Sequence, residues 1–399
     1  MKRWILAAIV LGAASGCQQQ KGFPDQKVEA QKRWFGTRAR VLYQIAENRF
    51  SNGQVDGAAE SVRQALLLKP DYRDAQFLLA RVDIERGRYA SAVRRLKDIE
   101  KDDPNSSKVA YLLGVAQEKG REFPEALANY RRAYALDESN MSAVKAAAEV
   151  LVSMGETRRA QLHVDSYLPK AGEDPGLYEL AGRLAMISKE YDRAVAHYLR
   201  ARDLDPKNLR YLEALAGAEY AAGKYSHVLD TLTELLDRPG YRGGSWVYTM
   251  LGDAYLAQGE PHRAFDAYFT ASERTPKEPA AWTALARSAL AMNDPSRAIL
   301  AARRALRLAA GQLDATLILG YALLRGGQVD EAMGTLADAA RKHPRSPMVH
   351  CLLGRAHAAK GNHAEAIRRY TLALKLDPKN AVARELLIAS DTKQISKTD

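Results

Sequence analysis

Residues 345–378 read RSPMVHCLLGRAHAAKGNHAEAIRRYTLALKLDP, and the recurrence of this stretch decides the fold. Its closing Leu376-Asp377-Pro378 matches Leu204-Asp205-Pro206 and Leu68-Lys69-Pro70. Pro70 and Pro104 stand 34 residues apart, as do Pro344 and Pro378, while Pro206 and Pro276 keep the step with two residues added between them. A small residue stands 24 positions before every closing position: Ala46, Ala80, Gly114, Ala148, Gly182, Ala216, Gly252, Ala286, Gly320 and Gly354. Twelve before it stands Ala in nine of ten units, from Ala58 to Ala366, with Val228 the exception. Five before it Ala recurs at Ala65, Ala133, Ala201, Ala271, Ala305, Ala339 and Ala373. A chain of 399 residues ordinarily implies two or three globular domains, but a period this regular marks one array of repeats.

Small residues at fixed register belong where helix backbones cross closely, because a large side chain there would push the helices apart. Larger candidate core residues surround them, Trp282 with Leu285 and Tyr248 with Leu251 and Tyr255. Glycines at 53, 87, 155, 223, 259, 327 and 361 sit where a helix C-cap is needed, and the closing Pro starts the next turn. The pattern resembles the tetratricopeptide repeat (TPR) and covers 39–380 as ten units. The resemblance implies an all-α fold, a right-handed superhelical solenoid of about ten helix-turn-helix repeats with a capping helix at the C-terminal end.

The array divides unevenly. The fourth unit closes with Pro169-Lys170-Ala171-Gly172, and the sixth ends in Arg238-Pro239-Gly240-Tyr241-Arg242-Gly243-Gly244, which absorbs the two extra residues. That Gly-rich stretch reads either as a soft joint between repeats 1–6 (39–242) and repeats 7–10 (245–380) or as a longer loop. The amphipathic run Ala381–Ala389 predicts the cap, and 381–399 closes as cap and polar tail. Residues 18–38 read as a tether that becomes helical from about Val28.

The first seventeen residues carry a different message. Lys2 and Arg3 precede an apolar run, Trp4–Ala14, whose helical length of about 16 Å is too short for a bilayer core of about 30 Å. This reads as a secretory signal, 1–17. Ala14-Ser15-Gly16-Cys17 resembles the lipobox of bacterial lipoproteins, with Ala14 in place of the usual Leu. The resemblance implies cleavage before Cys17 and its acylation, which anchors the protein by several chains. Gln18 is not the Asp that retains such proteins at the inner membrane in enteric-type bacteria, so the implied location is the periplasmic face of the outer membrane. With Cys17 acylated, Cys351 has no partner and no disulfide is expected.

The formal charge of +11 falls to +9 without residues 1–17, and 245–399 holds 21 basic against 15 acidic residues. That is a bias toward acidic partners, and nucleic acid is not expected for an exported protein. No P-loop, GxSxG, HExxH or paired CxxC occurs, so the chain is read as a non-enzyme without catalytic residues or cofactor. His343, His350, Cys351, His357 and His363 form the best metal candidate, but His350 and His357 stand about 10.5 Å apart along a helix, too far to share an ion. No metal site is expected. The arginine pairs Arg94-Arg95, Arg131-Arg132, Arg303-Arg304 and Arg368-Arg369 lie on second helices and read as a solvated face, with anionic lipid or acidic polymer as the other reading.

A TPR array is expected to work on the concave face lined by first helices. There the Lys/Asn pairing by which TPR chaperone cofactors grip a C-terminal carboxylate is missing. The register instead places Tyr43, Phe77 and Tyr111 in an aromatic strip beside Arg81, with Arg183, Arg287, Tyr321 and Arg355 farther along. These residue types make binding hot spots, or else they pack between neighbouring helices. The expectation is a membrane-anchored scaffold that binds extended or helical segments of partner proteins in an envelope assembly or export complex. The other reading is an acidic-polysaccharide-binding lipoprotein.

Overall fold

The structure, a computed structural model, describes residues 23–170 and 172–395. The signal segment, the lipobox and Cys17 lie outside the described residues. Two compact units share the chain, one ending at Lys170 and one starting at Ala171. The first holds four helix pairs: α1 (Phe23–Ser51) and α2 (Val55–Leu68), α3 (Arg73–Glu85) and α4 (Tyr89–Asp102), α5 (Ser107–Lys119) and α6 (Phe123–Leu136), then α7 (Met141–Ser153) and α8 (Thr157–Tyr167) with a short 3-10 turn at Leu168–Lys170. The second holds six pairs and a cap. These are α9 (Pro175–Ile187) and α10 (Tyr191–Leu204), α11 (Leu209–Ala221) and α12 (Tyr225–Leu236), α13 (Ser245–Ala257) and α14 (Pro261–Arg274), α15 (Pro279–Ala291) and α16 (Pro295–Leu308), α17 (Leu313–Arg325) and α18 (Val329–Lys342), α19 (Pro347–Ala359) and α20 (His363–Leu376), and the cap α21 (Ala381–Ile395). Each unit is an all-α solenoid in which every helix packs on its neighbours in sequence. No helix among the described residues is long and apolar enough to cross a membrane.

The expected boundaries meet these elements differently. α1 begins at Phe23 and runs unbroken past residue 38, so tether and first repeat share one helix. The stretch Arg238–Gly244 lies inside the second unit and is pinned there, because the Tyr241 hydroxyl donates to Glu213 at 2.9 Å and Arg274 donates to the Gly243 carbonyl at 2.9 Å. The two compact units divide at the other irregular closure, Lys170/Ala171.

Within each repeat the packing is a matter of paired volumes. A Cβ added at Gly114, Gly182, Gly252 or Gly354 would fall 2.5–2.7 Å from a ring carbon of Tyr130, Tyr198, Tyr268 or Tyr370, sixteen residues onward on the second helix. At Gly320 it would meet Leu336 at 2.6 Å. Where the small residue is Ala (46, 80, 148, 216, 286), the opposite side chain is Val62, Leu96, Val164, Leu232 or Ala302, each fully buried. Removing a methyl from one helix thus admits an aromatic ring from its partner. The ring then needs a polar exit: Tyr130 donates to Glu118 at 2.6 Å and Tyr268 to Asp253 at 2.5 Å. A polar tie twelve residues apart joins the same helices at Arg49/Ser61, Gln117/Asn129 and Glu219/Thr231, with hydrogen bonds of 2.7, 2.6 and 2.8 Å.

The turn inside each repeat requires a left-handed residue. Gly87, at φ 71°, follows α3, and Arg88 N–H reaches back to the Asp83 carbonyl at 2.8 Å, capping the helix end. The same position elsewhere holds Arg121, Lys189 and Asn293 with φ of 59–63°, strained for side chains bearing a Cβ.

Two stability measurements check this account. Ala for Gly in mid-helix ordinarily gains about 1 kcal/mol, but Gly182→Ala should instead lower the melting temperature, because overpacking against buried Tyr198 costs about 1–3 kcal/mol. Adding Tyr198→Leu recreates the pairing at 80/96 and should recover most of the loss in a double-mutant cycle. At the turn, Lys189→Gly should raise stability and Gly223→Ala lower it, each by up to about 1 kcal/mol in urea unfolding. No gain, or a loss, on Lys189→Gly would show that the turn carries no strain.

Candidate functional site

Successive first helices touch one another, α1 with α3 and α3 with α5 in the first unit, and α13, α15, α17, α19 and α21 in series in the second. Second helices do not approach each other to the same degree. A layer whose members lie closer together forms the inside of a curve, so first helices line the inner face of each unit and second helices the outer.

In the first unit the aromatic strip is largely consumed by packing. Tyr43 is half-buried on α1 with its ring 5.2 Å from that of Tyr72, and burial, reinforced by Glu47, pushes its phenol up to about 12. Phe77 is only 6% exposed, a core residue of α3 whose outer ring face is covered by the Lys108 ammonium at 4.5 Å. Tyr111 on α5 lies against Tyr130 at 5.5 Å. Arg81 is exposed, its guanidinium 4.7 Å above the Phe50 ring. Of the four residues expected to bind, Arg81 is thus the most available, and Phe77 is a packing residue first.

In the second unit three of the four expected residues, Arg287, Tyr321 and Arg355, open onto clefts. Arg183 on α9 and Arg287 on α15 are exposed, and their charges oppose the upward push that burial exerts on the phenols of Tyr198 and Tyr268. Arg287 borders an inner-face cleft of 540 Å³ with Thr249, Thr283, Gln312 and Asp314. Tyr321 on α17 and Arg355 on α19 come together, the guanidinium 5.0 Å from the ring centroid. Arg325 also donates to the Tyr321 hydroxyl at 3.2 Å, and this bond, with help from Arg355, holds that phenol below its ordinary value against the effect of burial. Beside the pair lies a cavity of 270 Å³ lined by Leu290, Leu317, Ile318, Met348, Leu352 and Val382, with Cys351. Met348 and Val382 stand 39% and 44% exposed. An apolar recess with guanidinium donors at its edge accepts an apolar side chain adjoining a carboxylate or carbonyl.

The histidine and cysteine cluster serves structure. His350 is 3% exposed and its Nε2 lies 2.8 Å from the Pro344 carbonyl oxygen; Cys351 is buried and desolvation pushes its thiol up, away from reactivity. Among the described residues no three His, Cys, Asp or Glu side chains are placed to hold a metal ion. In three of the arginine pairs one member reaches a carboxylate, Arg95 to Asp83, Arg132 to Glu100 and Arg303 to Glu331, and in the fourth both Arg368 and Arg369 reach Glu365. The sequence reading missed the apolar outer-face residues Phe269 and Leu300, 44% and 67% exposed. The signal was available, since both occupy outward positions that are charged in several other repeats.

Tetratricopeptide-repeat family profiles match residues 49–115, 145–208, 245–288 and, in two overlapping matches, 283–347 and 319–381. The chain is 23% identical over 189 residues to anaphase-promoting complex subunit 3 of Schizosaccharomyces pombe, a match covering 47% of this chain and 26% of that protein. It is 30% identical over 95 residues to the STIP1 homologue of Dictyostelium discoideum, covering 23% of this chain and 17% of that one. The chain therefore spans about a quarter or less of the length of these relatives. The crystal structure of the APC/C hetero-tetramer Cut9–Hcn1 aligns with 88% of this chain and 76% of its own at a TM-score of 0.43 and 16% identity. With the matched repeats covering most of the chain and the small-residue register occupied in all ten, the chain belongs to the tetratricopeptide repeat family.

Proposed function

We propose that this chain is a non-catalytic scaffold whose inner helical face holds a segment of a partner protein. The observation that carries the reading is the recess beside Tyr321 and Arg355, where apolar walls and the half-buried Arg355 guanidinium converge on the inner face of the second unit. The helices supply this surface already formed, so an extended or helical segment binds with little reorganisation on the scaffold side. A relative that is itself a subunit of a multi-protein complex supports the same reading. Protein is favoured over polysaccharide because Tyr43 and Tyr111 spend ring faces on Tyr72 and Tyr130, leaving less aromatic surface for stacking on sugars. The lipobox-like Ala14-Ser15-Gly16-Cys17 supports lipid anchoring at the periplasmic face of a bacterial outer membrane, and with it service in a pilus, exopolysaccharide or cell-wall machine.

Two experiments test this. A photoreactive benzoylphenylalanine at Met348 should crosslink a protein partner in intact envelopes, one at Arg94 should not, and Arg355→Ala should diminish the Met348 adduct. Adducts containing only glycan, or equal adducts from both positions, would overturn the inner-face reading. Cys17→Ser should abolish lipid labelling and release the protein from the membrane fraction; a protein that stays membrane-bound without lipid label sinks the anchor.

A further inference from the structure

The outer layer of the second unit carries a groove distinct from the inner face. It opens between α14 and α16 over α15 and encloses 680 Å³. Phe265 and Trp282 form its floor, the latter fixed by a hydrogen bond from its Nε1–H to the Pro276 carbonyl at 3.1 Å. Phe269 and Leu300 rise from it, 44% and 67% exposed. Five of the nine counterparts of Phe269 are charged (Arg63, Lys97, Arg131, Asp165 and Arg303), as are five of the nine counterparts of Leu300 (Glu60, Arg94, Asp230, Asp266 and Arg368). Two outward positions that carry charge in about half of the other repeats are both apolar here and line one groove. An exposed apolar patch rimmed by polar groups is the usual mark of an interaction site.

The rim is cationic. Arg297 lies over Phe265 at 5.2 Å and Arg304 over Trp282 at 5.7 Å, with Arg307 beyond. A guanidinium held over a ring keeps its N–H donors for an anionic partner. Arg297 is met by Asp294 at 3.4 Å, but among the described residues Arg304 and Arg307 have no ion-pair partner, unlike Arg95, Arg132 and Arg303 on the same layer. Asp266 is the acidic side chain of the lining. From Arg297 to Arg307 the rim extends about 15 Å along α16, which suits a series of carboxylates better than one anionic headgroup. A second copy of this chain is a poor occupant, since residues 245–399 hold 21 basic against 15 acidic residues and like surfaces would repel.

We propose that this groove docks an acidic amphipathic helix of another protein, with its apolar side chains on Phe269, Trp282 and Leu300 and its carboxylates on Arg304 and Arg307. The surface is separate from the inner-face recess, and the two stand or fall independently.

The test is fluorescence anisotropy on the full chain with a labelled synthetic peptide of about five helical turns, bearing Leu and Phe at helical spacing flanked by Glu. The controls are the same peptide with every Glu replaced by Lys, and one with every Leu and Phe replaced by Ser. The acidic amphipathic peptide alone should bind, and more weakly as salt rises. Arg304→Glu with Arg307→Glu should weaken it about tenfold or more. Leu300→Asp should do likewise, while Arg131→Glu on α6 should leave binding unchanged. Circular dichroism checks that these exposed substitutions keep the fold. Equal binding of the Lys peptide, undiminished binding by the double variant, or no binding of the acidic peptide overturns the proposal. So does a dimer in sedimentation that Leu300→Asp dissolves, or capture of anionic vesicles in place of peptide that the double variant abolishes.

Discussion

Everything in this structure depends on how closely the two helices of a repeat approach. The distance is held by complementary volumes: Gly against Tyr at 114/130, 182/198, 252/268 and 354/370, and Ala against Val, Leu or Ala in five other repeats. Neither member is constrained alone. A methyl added to the glycine would collide with a ring that has no room to retreat, and a ring truncated opposite the glycine would leave a void. Because the pairing is local to each repeat, similar helix pairs can be stacked in series, each burying the apolar face its predecessor leaves open.

The fixed spacing determines what the surfaces can offer. First helices lie near enough to touch along much of each unit, whereas second helices spread, so the inner positions form recesses and the outer ones broad helical faces. Small differences in side-chain size then decide where a recess is usable. In the first unit Tyr72 and Tyr130 occupy the faces of Tyr43 and Tyr111. In the second, Tyr321 and Arg355 hold each other at the edge of an apolar hollow that is left unfilled. The pairing also explains why the cationic residues there are ordered donors: Arg355 and Arg325 converge on one phenol, whose oxygen both favour.

Much of the fold was legible from the residues, because sterically obligatory positions leave a signature that composition dilutes but periodicity retains. Ala58, Ala92 and the other alanines of that register are buried without exception, and all ten repeats take a left-handed turn residue at the position where seven carry Gly. Arg121, Lys189 and Asn293 show the limit of that legibility, since their identity conceals a backbone conformation that the array imposes. The site was less readable. The register placed Tyr43, Phe77 and Tyr111 on first helices but not the depth of each ring, which depends on neighbours such as Tyr72 and Lys108. Phe269 and Leu300 escape a reading that follows the arginine pairs rather than the departures from charge.

The sequence by itself determined the repeat, its 34-residue step, the helix pairs and the lipobox-like Cys17, since each rests on local sterics or on contiguous residues. Only the tertiary structure decided which aromatic rings are spent on packing, that Tyr321 and Arg355 meet across two helices, and that Arg304 and Arg307 stand without acidic partners beside exposed apolar side chains. The division between compact units at Lys170/Ala171 also emerged from packing alone. The physical reason is range: backbone crossings and turn geometry are written within one repeat, whereas exposure and ion pairing depend on which side chains the next repeat brings alongside.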